Sequence, residues 1–287
     1  MKTVLLTGAN GALGRAVYSR LSADPDCNVV IAGRQQHGHP LDLRKSPDFK
    51  SLLEKTRPHW ILHLAATFLN EFEEAYAVNV EASRLLLEAV QELGAECRVV
   101  LVGSAAEYGP VRPEENPIRE DRALGPMSVY GLSKAWQTQL AHLYASRGVD
   151  VMVARLFNLA APGLSERLFV GRVQKQIQEV LDGKRTELEL GPLTATRDYV
   201  GADEAVEQLI AIAERGQAGQ VYNVASGTPI TMRELLRNML AADRLEHVPV
   251  REAVALSNRA GFDVPAIYAD LTKTRQLLQR RTQSVAN

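Results

Sequence analysis

The chain has 287 residues, 46% of them hydrophobic, which suffices for one large domain or a main domain with a smaller lobe. Its net charge of −1 offers neither the basic excess that holds nucleic acid nor an acidic tail for a basic partner. Cys27 and Cys97 form no CxxC pair and the six histidines no HExxH cluster, so a cytoplasmic protein with two reduced thiols and no metal centre is expected.

Met1 and Lys2 lead straight into a short apolar run, 3–7, that reads as a strand and is too short for a signal peptide. No stretch reaches the roughly 20 apolar residues of a membrane span. A helix is predicted over 13–22, a strand over 29–32, a helix over 49–55 and a strand over 60–64. A long helix follows over 75–93, then a strand over 98–102, a helix over 129–146 and a strand over 150–155. The alternation of helices with short, β-branched strands predicts a parallel sheet covered on both faces. After Asn158 the rhythm changes. Ala161-Pro162-Gly163 opens a polar connection, a helix is predicted over 168–181, and 221–224 reads as a late strand of the main sheet. The tail over 230–278 reads as helical and charged, punctuated by Pro229, Pro249 and Pro265. The predicted organisation is a dinucleotide-binding domain over 1–160 with a return to the sheet near 196–225. The segments 161–195 and 226–287 would form a smaller substrate-binding lobe.

Gly8, Gly11 and Gly14, in Gly8-Ala9-Asn10-Gly11-Ala12-Leu13-Gly14, sit where the first strand meets the first helix. Glycines there allow a tight turn and a close backbone approach to a pyrophosphate at the helix N-terminus. Arg34 stands after the second strand, where a carboxylate would select NAD. A guanidinium can bind a 2′-phosphate instead, which favours NADP(H) and leaves NAD(H) open. Ser104 ends a strand. Tyr130 and Lys134, four residues apart, share a helix face, so the ammonium is expected to draw the phenol toward an acid–base role near neutral pH.

These residues resemble, over nearly the whole chain, the extended short-chain dehydrogenase/reductases. The likeness is to their NAD(P)-dependent nucleotide-sugar epimerase/dehydratase/reductase branch. The TGxxGxxG loop of that family matches Gly8, Gly11 and Gly14, and its adenine-contacting acid matches Asp42 in Leu41-Asp42-Leu43. Its HxAA segment matches His63-Leu64-Ala65-Ala66, and its Asn-Val pair matches Asn79-Val80. The catalytic serine before a Tyr-Gly pair falls on Ser104, and YxxxK falls on Tyr130 and Lys134. Arg155-Leu156-Phe157-Asn158 resembles the stretch near nicotinamide and substrate diphosphate. Arg197-Asp198-Tyr199-Val200 and Arg259 resemble positions whose arginines reach substrate phosphates. Leu156 stands where many members have proline, and Ala161 where many have glycine.

The resemblance implies a Rossmann-type doubly wound α/β fold. It implies a cofactor set of Gly8, Asn10, Gly11, Ala12, Leu13, Gly14, Arg34, Asp42, Leu43, Leu64, Ala65, Ala66, Asn79, Tyr130, Lys134 and Leu156. Ser104, Glu107, Asn158, Arg197 and Arg259 would face a nucleotide-diphosphate sugar. The dehydratases of this family place acid–base residues directly after the serine; here those positions are Ala105 and Ala106. Glu107 comes one residue late and on an extended strand would face the opposite side, which makes it a structural or substrate-side carboxylate rather than a catalytic base. The serine region and the Asp263-Val264-Pro265 tail look most like the GDP-4-keto-6-deoxymannose reductase group. The expected activity is NADPH-dependent reduction of a 4-keto-6-deoxy sugar. The alternatives are an NAD-dependent 4-epimerase, a reductase of a non-sugar ketone, or a non-catalytic dinucleotide sensor. Family members dimerise through two helices, for which Leu85, Leu86, Leu140 and Leu143 offer apolar surface here.

Overall fold

A computed structural model describes residues 1–34, 38–45, 48–254 and 264–284. The elements of the first part are β1 (Lys2–Thr7), α1 (Ala12–Ser22), β2 (Cys27–Gly33), β3 (His39–Pro40), α2 (Phe49–Thr56) and β4 (Trp60–His63). Next come α3 (Phe72–Ala75), a π-helical turn (Tyr76–Glu81), α4 (Ala82–Glu92), β5 (Arg98–Ser104), α5 (Val129–Ala145) and β6 (Val151–Leu156). The remainder comprises β7 (Asn158–Ala160), α6 (Phe169–Leu181), β8 (Leu188–Leu190), β9 (Thr196–Gly201), α7 (Ala202–Arg215) and β10 (Val221–Val224), then β11 (Pro229–Thr231), α8 (Met232–Ala242), β12 (Val250–Glu252), β13 (Ala266–Ile267) and α9 (Thr272–Ser284).

The main sheet has seven parallel strands in the order β10-β6-β5-β4-β1-β2-β3. Alternation along each strand sends its side chains to two separate cores. Val4 and Leu6 of β1, with Val100 of β5, pack toward α1, α7 and α9 through Val17, Leu209, Ile210 and Leu277. Leu5, Val99 and Leu101 face Phe49 and Leu53 of α2, Leu86 and Leu87 of α4, and Ala141 and Tyr144 of α5. Each fully buried leucine there contributes about 1.5–3 kcal/mol, enough to fix which face of a helix meets the sheet. The strand order reverses between β1 and β4, and that reversal opens a crevice at the carboxyl ends of the strands.

Four features differ from the sequence reading. The predicted helix over 75–93 is interrupted by the π-helical turn, which buries Asn79. The predicted return to the sheet near 196–225 is split: β10 joins the main sheet, whereas β9 forms a second sheet with β7, β11 and β13. The periodic stretch between them is α7, a helix the sequence reading left out. The tail is not continuously helical. Two helices alternate with β11, β12 and β13, with Pro249 and Pro265 immediately before the last two strands. A third apolar cluster joins α6, β8 and α8 through Val173, Ile177, Leu190, Leu236 and Leu240. Among the described residues no helix is long and apolar enough to cross a membrane, and no group of three His, Cys, Asp or Glu could hold a metal ion.

Leu86, expected on an intersubunit surface, is buried against the protein's own sheet. Leu85 and Leu140 are half-buried, and Leu143 is exposed. A helix face that supplies a core leaves only its flank to solvent.

Candidate active site

The crevice begins with backbone. Gly8 has φ +74°, and a Cβ there would lie 2.6 Å from the Ala65 nitrogen. A Cβ on Gly14 would lie 2.1 Å from the Gly8 carbonyl oxygen. Both glycines therefore let main chain pack on main chain, and Gly8 brings the loop against Leu64 and Ala65 of the segment after β4. Gly11 caps α1 in extended conformation without a side-chain cap, and the first turn carries no acidic residue. Its N–H groups are suited to an anion such as a pyrophosphate. Asn10 is exposed beside them, and its carbonyl accepts from Arg15 Nη1 at 2.6 Å. Ala12 and Leu13 start the helix, Leu13 turning into the core.

Arg34 is exposed just past the carboxyl end of β2. Asp42 is half-buried and holds Arg44 in a two-bond pair, Nε to Oδ1 at 3.1 Å and Nη2 to Oδ2 at 3.0 Å. Those bonds pull its carboxyl down to about 2. Leu43, beside it, packs on the α2 side of the sheet.

Thr7 and His63 are register partners on β1 and β4, sharing a hydrogen bond of 3.0 Å between Oγ1 and Nδ1. The Ala65 nitrogen donates to Thr7 Oγ1 at 3.3 Å, which ties the exposed Ala66 segment to the end of β1. Burial and the Lys134 charge push His63 down to about 3, so it is neutral and structural at ordinary pH. Asn79 is also buried. Its amide accepts from the Thr67 nitrogen at 3.0 Å and donates to the Thr67 carbonyl at 2.8 Å and to Ser133 Oγ at 2.9 Å. Expected at the cofactor surface, it instead locks the loop after β4 to α5, because a fully buried amide needs its partners inside.

Ser104 ends β5 in extended conformation and caps a single 3₁₀ turn over Ala105–Glu107. Its Oγ accepts from the Ala106 nitrogen at 3.2 Å, and its own nitrogen donates to Glu107 Oε1 at 2.7 Å. Tyr130 lies in the first turn of α5, which Ser128 caps by accepting from the Gly131 nitrogen at 3.0 Å. Burial pushes the Tyr130 phenol above its ordinary range, a hydrogen bond with Ser104 acts against that, and the negative charge of Glu107 adds to the rise. Tyr130 and Ser104 therefore meet at the carboxyl end of β5. The expected drawing-down of the phenol by Lys134 is corrected. Lys134 is only 2% exposed and turns its ammonium to the Val102 carbonyl at 2.8 Å and Gln137 Oε1 at 2.9 Å. Burial brings the ammonium down to about 8, with Glu107 opposing. Gln137 is oriented in turn by donating to Ser83 Oγ at 2.7 Å.

Two substrate-side expectations are also corrected. Glu107 is fully buried: Oε2 accepts from Thr138 Oγ1 at 2.7 Å and from Arg155 Nε and Nη2 at 3.1 and 2.9 Å. A carboxylate so enclosed cannot reach a substrate. The turn that carries it is 3₁₀ rather than extended, because Ser104 and Glu107 cap it reciprocally. Arg197 is 3% exposed and donates to the carbonyls of Thr196 and Val264 at 2.8 and 2.7 Å, tying β9 to the segment before β13 rather than standing exposed for a phosphate. Asn158 donates to the Asp198 carbonyl at 3.0 Å. Leu156 is the register partner of Ser104 and lies beside it at the crevice floor. Arg259 lies outside the described residues. Gln137, Thr138 and Arg155 were not singled out as site groups. Thr138 lies at the next helical step after Tyr130 and Lys134, a spacing that could have marked it.

A family model described as "NAD dependent epimerase/dehydratase family" matches residues 4–225. The chain is 27% identical over 240 residues to a GDP-6-deoxy-D-mannose reductase from Pseudomonas aeruginosa, covering 81% of this chain and 77% of that one. It is 32% identical over 265 residues to a dTDP-glucose 4,6-dehydratase from Streptomyces griseus, covering 83% and 78%. The solved structure of RMD from Pseudomonas aeruginosa complexed with NADPH has the same fold, with a TM-score of 0.85 at 21% identity, over 96% of this chain and 92% of that one.

Proposed function

The chain belongs to the NAD dependent epimerase/dehydratase family, as a nucleotide-sugar-modifying, NAD(P)-dependent enzyme of the extended short-chain dehydrogenase/reductase type, and from that premise we propose a specific reaction. It reduces the 4-keto group of a nucleotide-diphosphate 4-keto-6-deoxyhexose, GDP-linked, with NADPH. The observation that carries this reading is the composition of the turn after Ser104. Ala105 and Ala106 have no titratable group, and Glu107 is buried against Arg155 and Thr138. Tyr130 with Ser104 is left to move one proton, which is what a ketone reduction requires and an elimination of water exceeds.

Bound NADPH would supply the hydride. Gly8, Gly11 and Gly14 would bring the backbone to its pyrophosphate, and Arg34 would pair with its 2′-phosphate. Ser104 donates a hydrogen bond to the C4 oxygen, and Tyr130 gives that oxygen the proton that makes it a hydroxyl. The lobe built on α6, β8 and α8 would hold the nucleotide. A homodimer is part of the proposal. Phe72, Tyr76 and Trp136 are exposed with ring centroids 6.1–6.3 Å apart, and Leu143 is exposed two turns further along α5.

The test is NADPH oxidation with GDP-, dTDP- and UDP-linked 4-keto-6-deoxy sugars. The GDP-linked ketone should be reduced fastest, and Tyr130→Phe should lose about 10³-fold in kcat while still binding NADPH. No turnover of any of the three, or a Tyr130→Phe enzyme at near-normal rate, overturns the reading. Tightly held NAD released on denaturation would point to a 4-epimerase instead.

A further inference from the structure

Beneath Ser104 and Tyr130 the protein buries an ion pair that the chemistry above does not use. Glu107 receives four hydrogen bonds from three different elements. Oε1 accepts from the nitrogen of Ser104 at the end of β5. Oε2 accepts from Thr138 on α5 and from both Nε and Nη2 of Arg155 on β6. Thr138 stands two helical turns after Tyr130, on the face that also carries Lys134. The carboxylate therefore joins the strand that presents Ser104 to the helix that presents Tyr130. Space is kept for it: a Cβ on Gly103 would fall 2.6 Å from Glu107 Oε1 and 2.9 Å from Val153 Cγ1. The guanidinium of Arg155 lies 4.6 Å from the centroid of the Tyr108 ring, which closes the pair off from solvent.

We infer that Glu107 is a positioning residue that aims the Ser104 hydroxyl at the substrate oxygen and holds it in register with Tyr130. This rests on the reading of Ser104 and Tyr130 as the reacting pair. A hydroxyl has one hydrogen and two acceptor lone pairs. With Ala106 donating to Oγ and Glu107 holding the Ser104 backbone, the hydroxyl hydrogen is left for the Tyr130 side of the crevice, where a substrate oxygen would take it. Stability alone is a poor reason for this arrangement. Apolar residues often replace a buried ion pair at no cost, whereas removing one partner strands a buried charge. What an apolar pair could not supply is the acceptor for the Ser104 nitrogen and for Thr138.

The experiment is a double-mutant cycle read with NADPH and GDP-4-keto-6-deoxymannose. Glu107→Leu combined with Arg155→Met removes both charges together, so no lone buried charge remains. In the enzyme with Ser104 it should lower kcat about 30-fold and leave the KM for NADPH unchanged. In a Ser104→Ala background the same pair should lower kcat less than about threefold, because the group being aimed is gone. Thr138→Val, which leaves both charges in place, reads the same coupling if the double variant does not fold. It should cost about threefold with Ser104 and nothing with alanine there. Equal losses in both backgrounds would show a purely structural role and overturn the inference. A Ser104→Ala enzyme at wild-type rate would overturn the functional reading itself, and the inference with it.

Discussion

At the end of β1, Gly8 and Gly14 bring main chain to within contact of main chain, and the first helix turn offers its N–H groups without a side-chain cap. At the end of β5, four side chains converge instead: Glu107, Arg155 and Thr138 close on one another, and the Lys134 ammonium is buried nearby. The first region is built by leaving side chains out, the second by burying charges. A binding surface made of backbone tolerates almost nothing added to it. A corner made of ionised groups responds instead to pH and to the loss of a partner.

Gly8→Ala tests the first half of that contrast and should show the largest effect. The new methyl would meet the Ala65 backbone, where no flexible group can yield. NADPH affinity, measured by fluorescence titration, should fall at least about 100-fold. Retained affinity would mean that the loop does not depend on close backbone approach. Arg34→Asp reverses a charge at the same binding surface and should act more selectively. The preference for NADPH over NADH, as a ratio of kcat/KM, should fall about 10- to 100-fold. An unchanged ratio would place the 2′-phosphate elsewhere.

The smallest effect near neutral pH, and the sharpest test of the second region, comes from Lys134. Its ammonium is held down to about 8 by burial, against an ordinary value of 10.5. Between those values the unfolded chain binds more protons than the folded one, so stability should rise with pH across that window. Activity should move the other way: the charge-assisted bonds to the Val102 carbonyl and Gln137 that hold α5 beside β5 weaken as the ammonium is lost, so kcat/KM should descend through about pH 8. In Lys134→Arg, whose cation persists, the descending limb should move to higher pH on a lower plateau. Stability and kcat/KM rising together above pH 8 would contradict this account.

The two regions were also unequally legible in the sequence. Gly8, Gly11 and Gly14 lie within one turn and one helix start, so their requirement is local and their spacing exposes it. Glu107 finds Thr138 31 positions away and Arg155 48 positions away, and only the parallel register of β5 with β6 brings the latter pair together. Sequence spacing placed Tyr130 and Lys134 on one helix face, and α5 bears that out. It could not tell that the Val102 carbonyl and Gln137 would draw the ammonium inward. The alternating elements of the first 160 residues were readable because each strand is a short β-branched run between amphipathic helices. The later chain was not, because β9, β11, β12 and β13 are strands of two to six residues whose pairing depends on distant partners.

The π-helical turn over Tyr76–Glu81 makes one point of the chain sensitive to length rather than to composition. Such a turn carries one residue more than an α-helix needs. Deleting any single residue there would leave a regular helix with its apolar face intact on one side. It would also rotate everything before the deletion by about 100° relative to α4. Asn79 would swing away from Thr67 or Ser133, and the loop after β4 would lose its anchor to α5. Even with Asn79 kept, a change in the residue count of this stretch would detach the loop after β4 from the helix that carries Tyr130.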